Sequence, residues 1–498
     1  MAAVSYLEVL KLAMPETILT VTAFAVLFVD LTVMRGAGRA YRRRVSAALA
    51  GLGCLVSTIW MIQFPAAGVI GDGVLVADPL TRLVKVALVA LTALTALISL
   101  DSDFTDHVGE YFALLLLGTI GMLFLVGAEN LLMIFVALEL TSVSLYVLTA
   151  FNKRNARSAE AALKYFLFGS LAAAFTLYGL SLLYGLTGSL GLRGIAARLG
   201  GPDLDPLLAA ALVMTLIGFG FKVAAVPFHL WAPDAYQGAP TPSAAFIASG
   251  SKVAGFFILA KVLMIGFAGV EGDAGWRAGA AGWVPVLATV AVASMILGNL
   301  AAIVQPSVKR LLAYSAIAHA GYALLGVVAN SLPGLSALIY YVITYALSAL
   351  GAFAIVSLVE DRDGDAKLEH FAGFSRRAPL MSLCMLAFLL SLAGIPPLAG
   401  FFGKFYLFAA AATGGTSGSG LLWLVAVAIA MSAVSLYYYL QVLKQIYVGP
   451  VTEGVPALRP GVSVQVGVVM LALGVLLLGC FPNLLIGPLT TALATAGF

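Results

Sequence analysis

GFGFKVAAVPFHLW, residues 218–231, carries a lysine (Lys222) inside an apolar run and a proline (Pro227) five residues later. The rest of the chain decides how that stretch is read. Of its 498 residues, 62% are hydrophobic and only 10% are charged, and the mean hydropathy is +1.05. An ordinary soluble chain has about 25% charged residues. Apolar runs of about 20 residues recur from end to end, each long enough to cross about 30 Å of hydrocarbon. The sequence therefore predicts an all-α polytopic membrane protein; a transmembrane barrel would show short alternating segments instead. In that setting a charge and a helix breaker in one place are both costly, and their conjunction needs a reason.

Counting apolar runs between polar breaks predicts 14 spans, near 14–34, 46–64, 76–100, 111–128, 131–151, 159–184, 206–228, 242–267, 282–303, 309–329, 333–358, 378–410, 421–446 and 463–490. The run 378–410 is longer than one span needs and contains Ile395, Pro396 and Pro397, which predicts a broken helix. The first run, Met14 to Val33, lacks a basic leader and a small-residue cleavage site, so it reads as a span and not as a signal peptide. If the spans alternate, 16 Lys and Arg residues fall in loops on one side, including Arg35, Arg39, Arg42, Arg43, Arg44, Lys309, Arg310 and Arg459. Four fall on the other: Lys11, Arg193, Arg198 and Arg277. The crowded side is expected to be cytoplasmic and both termini periplasmic, in a bacterial inner membrane.

The longest loop, about 359–377, leaves no room for a nucleotide, flavin or iron–sulfur domain, so any redox or ATP energy must come from a partner chain. Cys54, Cys384 and Cys480 lie in apolar runs with no CxxC spacing and read as small core residues. The four histidines are scattered, and no haem, zinc or other metal site follows from them.

Apart from Lys309, Arg310 and Lys444, at the very ends of predicted spans and counted with the loops, seven basic residues fall inside predicted spans: Arg82, Lys85, Lys164, Lys222, Lys252, Lys261 and Lys404. Glu139 and His319 lie equally deep in apolar runs. The plain reading of each is a snorkelling or locally satisfied side chain, and for Lys85 and Lys261 it is the simpler one. His319 could merely bond a carbonyl, and Lys164 is shallow. Glu139, Lys222, Lys252 and Lys404 sit six to ten residues, about 9–15 Å, from the nearest predicted span end, where a charge is costly. Lysine is the informative choice, because a buried lysine can give up its proton and an arginine cannot. A row of such groups reads as a proton relay.

The spacing from Glu139 to Lys222 is 83 residues and from His319 to Lys404 is 85, which hints at duplication. Each lysine span also holds proline: Pro227 in the first, Pro396 and Pro397 in the second. Halves five spans apart have opposite orientations, the inverted repeat of many transporters. The predicted units are a three-helix segment (1–110), two five-helix repeats (111–267 and 282–446) and a terminal helix (463–498). Each proline frees backbone carbonyls, and in a membrane this predicts a break satisfied by protein or water, here a hydrated one beside each lysine.

The stretch FKVAAVPFHLWAPDAYQGAPTPSAAFIASGSKVAGF (221–256) resembles the antiporter-like membrane subunits of respiratory complex I. So do VALELTSVSLYVL (136–148), SAEAALKYFLFGS (158–170), VKRLLAYSAIAHAGYALLG (308–326) and LSLAGIPPLAGFFGKFYLF (390–408), and the likeness covers most of residues 110–450. The resemblance implies 14 helices with two inverted five-helix repeats and broken helices. It implies proton transfer by Glu139, Lys164, Lys222, Lys252 and Lys404, with His319 on the central axis and His229 and Lys85 as secondary candidates. The lysine at 404 and the GSKVAG around Lys252 suit the subunit N branch of bacterial NADH–quinone oxidoreductase, and the lateral helix expected of subunit L is not seen after the last span.

The activity so implied is translocation of protons by the membrane arm, with no redox chemistry in this chain. NADH, FMN, iron–sulfur clusters and quinone belong to partner subunits. The expected neighbours are subunits M, K, J and A and phospholipids, with no nucleic acid. Protons would enter near Lys222 and Glu139, pass Lys252 and His319, and leave past Lys404, each charge altering its neighbours' affinity through a partly dry interior. Whether Lys164 or Lys222 is the main partner of Glu139 stays open. Two other readings are a cation/proton antiporter subunit, whose sodium or potassium flux would persist without NADH, and a spacer, whose lysine substitutions would disturb assembly alone.

Overall fold

The structure, a computed structural model, describes residues 6–199, 205–276, 279–414, 420–450 and 460–496. Among these, 13 helices are long and apolar enough to cross a bilayer. In chain order the first seven are Met14–Val33, Arg39–Gln63, Pro79–Ile98, Val108–Val126, Leu131–Thr149, Ala156–Thr187 and Pro206–Val223. Then come Thr241–Gly266, Trp283–Ile303, Val308–Val328, Leu332–Arg362, Leu422–Tyr447 and Val462–Cys480. The twelfth span is the interrupted pair Pro379–Ala393 and Ala399–Thr413. The predicted set of 14 spans is therefore present, and the prolines at 396 and 397 do break the twelfth.

Burial orders these helices. The eighth span is buried along its length and the tenth and eleventh nearly so, while the first, sixth, thirteenth and fourteenth turn apolar side chains outward. On the sixth, Leu163, Phe166, Leu167 and Leu171 are exposed, as suits a helix whose outer face meets lipid. The deep charges thus sit where protein, not lipid, surrounds them.

The structure revises several expectations. Residues 76–78 do not begin the third span: Gly68–Ile70 and Leu75–Ala77 form an antiparallel hairpin, turned by Gly71, Asp72 and Gly73, all at positive φ. Asp78 then caps the helix in a capping box with Thr81. The last run stops at Cys480, because Pro482 cannot continue the helix, and Asn483–Ala496 forms a separate one. Cys54 and Cys384 are buried, but Cys480, at that helix end, is exposed and is not a core residue. Arg39, Arg42, Arg43 and Arg44 lie on the first turns of the second span and not in a loop, with Arg42 bonded to buried Asp30 at 2.8 Å. Lys309, placed in a loop by its sequence, is buried on the first turn of the tenth span. Arg277 and Arg459 lie outside the described residues.

The seventh span ends at Val223, not 228, and resumes as Trp231–Gly238. Its helix closes on a left-handed residue, Ala224 (φ 57°), as the first half of the twelfth closes on Gly394 (φ 88°). Pro227 and Pro397 each follow three residues later, each in a cis bond. The two breaks superpose in sequence at Ala224 and Gly394. The lysines do not: Lys222 is on the last turn before its break, Lys404 on the second turn after its own. The near-equal spacings of 83 and 85 residues therefore do not mark equivalent positions.

Candidate functional site

A helix that stops mid-membrane leaves carbonyl oxygens without their usual donors. At the first break the last helical carbonyl, Val223 O, accepts a bond from Lys252 Nζ at 3.2 Å, and Phe221 O accepts one from Trp231 Nε1 at 3.0 Å. At the second, Ala393 O accepts from Lys404 Nζ at 2.9 Å. Protein groups thus take up these carbonyls. Beside Pro227 lies a cavity of about 230 Å³ with apolar walls, among them Val213, Leu216, Phe228, Val286 and Val290.

The three deep lysines share a feature. Lys222 Nζ donates to Ser142 Oγ at 3.2 Å. Lys252, one turn past a kink at Ser249, donates to Ala316 O at 2.6 Å as well as to Val223 O. Lys404 donates to Ser432 Oγ at 2.8 Å and lies 5.0 Å from the centre of the Tyr322 ring. Among the described residues none of the three has a carboxylate within 4.0 Å. Carbonyl and hydroxyl oxygens hold an ammonium in place without demanding its charge, so each site tolerates the loss of a proton better than an ion pair would.

His319 stands between Lys252 and Lys404. Its helix also supplies Ala316, one turn earlier, to Lys252. Its Nδ1 lies 2.6 Å from Tyr341 Oη and its Nε2 3.0 Å from Tyr439 Oη, and Tyr439 Oη in turn meets Ser315 Oγ. The Tyr345 ring packs between Lys252 and the imidazole, 5.9 Å from the ammonium and 4.8 Å from the imidazole centre. Tyr322 completes the wall and is fixed by Asn299, which also accepts from Tyr438. Sequence reading missed this tyrosine cage. The available signal was the density of tyrosine in YYVITY (340–345) and YYY (437–439).

The remaining candidates are placed differently. Glu139 is half-buried and has no ion pair among the described residues; the cation that acts on it electrostatically is Lys222. Lys164 does not approach it. Lys164 is part-exposed and pairs with Glu160 at 2.7 Å and Asp234 at 3.0 Å. Lys85 is bonded to Glu16 at 2.6 Å, and Lys261 to Glu129 at 3.1 Å. His229 is buried in the first break. The row assembled by the structure is thus Lys222, Lys252, His319 and Lys404, linked by carbonyls and rings across four spans, with Glu139 beside its first member.

Known proteins bear on this geometry. Residues 128–433 match the family described as NADH:quinone oxidoreductase/Mrp antiporter, TM. The chain is 52% identical over 491 residues to NADH-quinone oxidoreductase subunit N 2 of Acidobacterium capsulatum, covering 97% of this chain and 98% of that one. Among solved structures it matches a chain of respiratory complex I from Thermus thermophilus with bound aureothin, at a TM-score of 0.78 and 34% identity, over 95% of this chain and 98% of that chain. A chain of the Mrp complex from Dietzia sp. gives a TM-score of 0.81 at 22% identity, over 98% and 97%, and so shares the fold alone.

Proposed function

The chain belongs to the NADH:quinone oxidoreductase/Mrp antiporter membrane family, and we propose that it works as a proton-translocating membrane-arm subunit of a bacterial NADH–quinone oxidoreductase. In this reading the residues 111–267 and 282–446 are two inverted half-channels flanked by the segment 1–110 and the terminal helix 463–498. Protons reach Lys222 and Glu139 from the cytoplasmic side, step through Lys252 and His319, and leave past Lys404. Energy comes from NADH oxidation and quinone reduction in other subunits, which hold the FMN, iron–sulfur clusters and quinone. Subunits M, K, J and A are the neighbours, and the chain sits in the inner membrane with both termini periplasmic.

The observation that carries this reading is the row of buried lysines without carboxylate partners among the described residues, joined through a histidine whose two nitrogens both meet tyrosine hydroxyls. Charging one member raises the energy of charging the next, because Coulomb coupling is strong where water is scarce. A proton arriving at Lys222 therefore favours release further along, and His319, with two hydrogen-bonding nitrogens, is suited to pass it between Lys252 and Lys404.

Lys252→Met tests this directly, since it keeps the volume and removes the exchangeable proton. The substituted complex is expected to assemble on a native gel while proton movement coupled to NADH oxidation in inverted vesicles falls by about 100-fold, the scale of a lost proton-transfer group. Unchanged pumping would refute the route.

A further inference from the structure

We propose that Asp234 is a positioning residue that latches the two repeats together at the mouth of the first half and, through Trp231, sets the pocket of Lys222. This rests on the proton route just described, in which Lys222 is an early carrier.

The carboxylate of Asp234 sits on the short helix that follows the first break. One oxygen accepts from Lys164 of the sixth span at 3.0 Å, the other from Arg310 of the tenth at 2.7 Å. Arg310 also reaches Gln237, one turn along the same helix, at 3.1 Å. One acid thereby ties a helix of the first repeat to a helix of the second. A polar cavity of about 350 Å³, lined by Arg157, Glu160, Lys164 and Asp234 among others, lies against this bridge.

The same short helix reaches inward. Trp231, one turn before Asp234, is fully buried and stacks on Tyr165, the residue after Lys164, with ring centres 4.1 Å apart and planes within 6°. Its Nε1 donates to Phe221 O, the carbonyl next to Lys222. A shift of the outer bridge is therefore passed to the backbone that carries the Lys222 ammonium. Packed side chains and a hydrogen bond make this path stiff.

The repeat offers an independent sign that the position matters. Counted from the break prolines, Asp234 stands seven residues after Pro227, as Lys404 stands seven after Pro397. The place used for a buried lysine in the second half is used in the first for an acid gripped by two cations. The half with the outer latch has its lysine before the break, at 222.

The test uses the assembled complex in inverted vesicles, reading NADH-driven proton movement. Asp234→Asn keeps the shape and removes the charge; Trp231→Phe keeps the stack and removes the bond to Phe221 O. Each is expected to lower the rate by about fivefold, and the double substitution by about the same factor, because both cut one path. Asp234→Glu, which can still bridge, is expected to restore most of the rate. A rate for Asp234→Asn within about twofold of the parent, or a double effect near the product of the singles, overturns the latch. If Asp234→Asn does not assemble, Arg310→Gln replaces it in the same cycle with the same criteria. Lys252→Met is measured alongside: a normal rate there sinks the proton route itself, whereas a lost rate there with a normal one for Asp234→Asn sinks only the latch.

Discussion

Lys85 and Lys261 are as deeply buried as Lys252 and Lys404, with 4% and 0% of their surface exposed against 3% and 4%. Their partners differ. Towards the N-terminal helices, Lys85 faces Glu16 and Lys261 faces Glu129. In the middle of the molecule, Lys252 and Lys404 meet, among the described residues, carbonyl oxygens, a serine hydroxyl and tyrosine rings. A lysine paired with a carboxylate cannot lose its proton without leaving a bare buried charge, so it acts as a fixed strut. A lysine held by neutral oxygens can exist in both forms without disrupting its surroundings. On the proposed route, therefore, it is the identity of the acceptor, and not burial alone, that separates a proton carrier from a strut.

The contrast is most severely tested by removing one member of a strut. Lys85→Met leaves Glu16 buried without its cation, and Glu16 Oε2 already has no partner among the described residues. Stability should fall by about 3–5 kcal/mol, seen as loss of assembled complex or a lower melting temperature. Adding Glu16→Gln should recover most of that loss. Next, Lys404→Met should leave assembly nearly intact while coupled proton movement drops by about 100-fold, read in inverted vesicles. If Lys404→Met instead behaves like Lys85→Met, with lost assembly and a normal rate per complex, the distinction between strut and carrier is wrong.

Smaller effects refine the comparison. Arginine keeps the charge but not the exchange, so Lys252→Arg should cut proton movement by about tenfold or more, measured per assembled complex. Tyr439→Phe removes the hydroxyl between His319 and Ser315. A several-fold slowing is expected, about what one hydrogen bond contributes, with assembly unchanged. Tyr438→Phe, whose hydroxyl serves Asn299 and not the imidazole, should slow it less.

Much of this was legible in the sequence, and for identifiable reasons. The span count follows from run length, because hydrocarbon thickness fixes how many apolar residues a helix needs. The breaks were legible from Pro227, Pro396 and Pro397, since proline removes a donor wherever it falls. The pairings were not. Lys164 meets Asp234, 70 residues away, and Glu16 meets Lys85, 69 away, and only helix packing decides such meetings. The cage around His319 was hidden for a related reason: Tyr341 and Tyr439 come from different spans, and a tyrosine in an apolar run looks like core until its hydroxyl finds a partner. The hairpin at 68–77 had its turn signal in GDG, yet its apolar strand runs straight into the third span and masks it.

The most direct test of the central claim is the number of protons moved per NADH oxidised in inverted vesicles for Lys222→Ala against the parent, with assembly checked on a native gel. The account predicts a complex that assembles but in which pumping and quinone-linked turnover collapse together. An assembled complex with unchanged pumping and turnover would make Lys222 a structural charge and contradict the row at its first member.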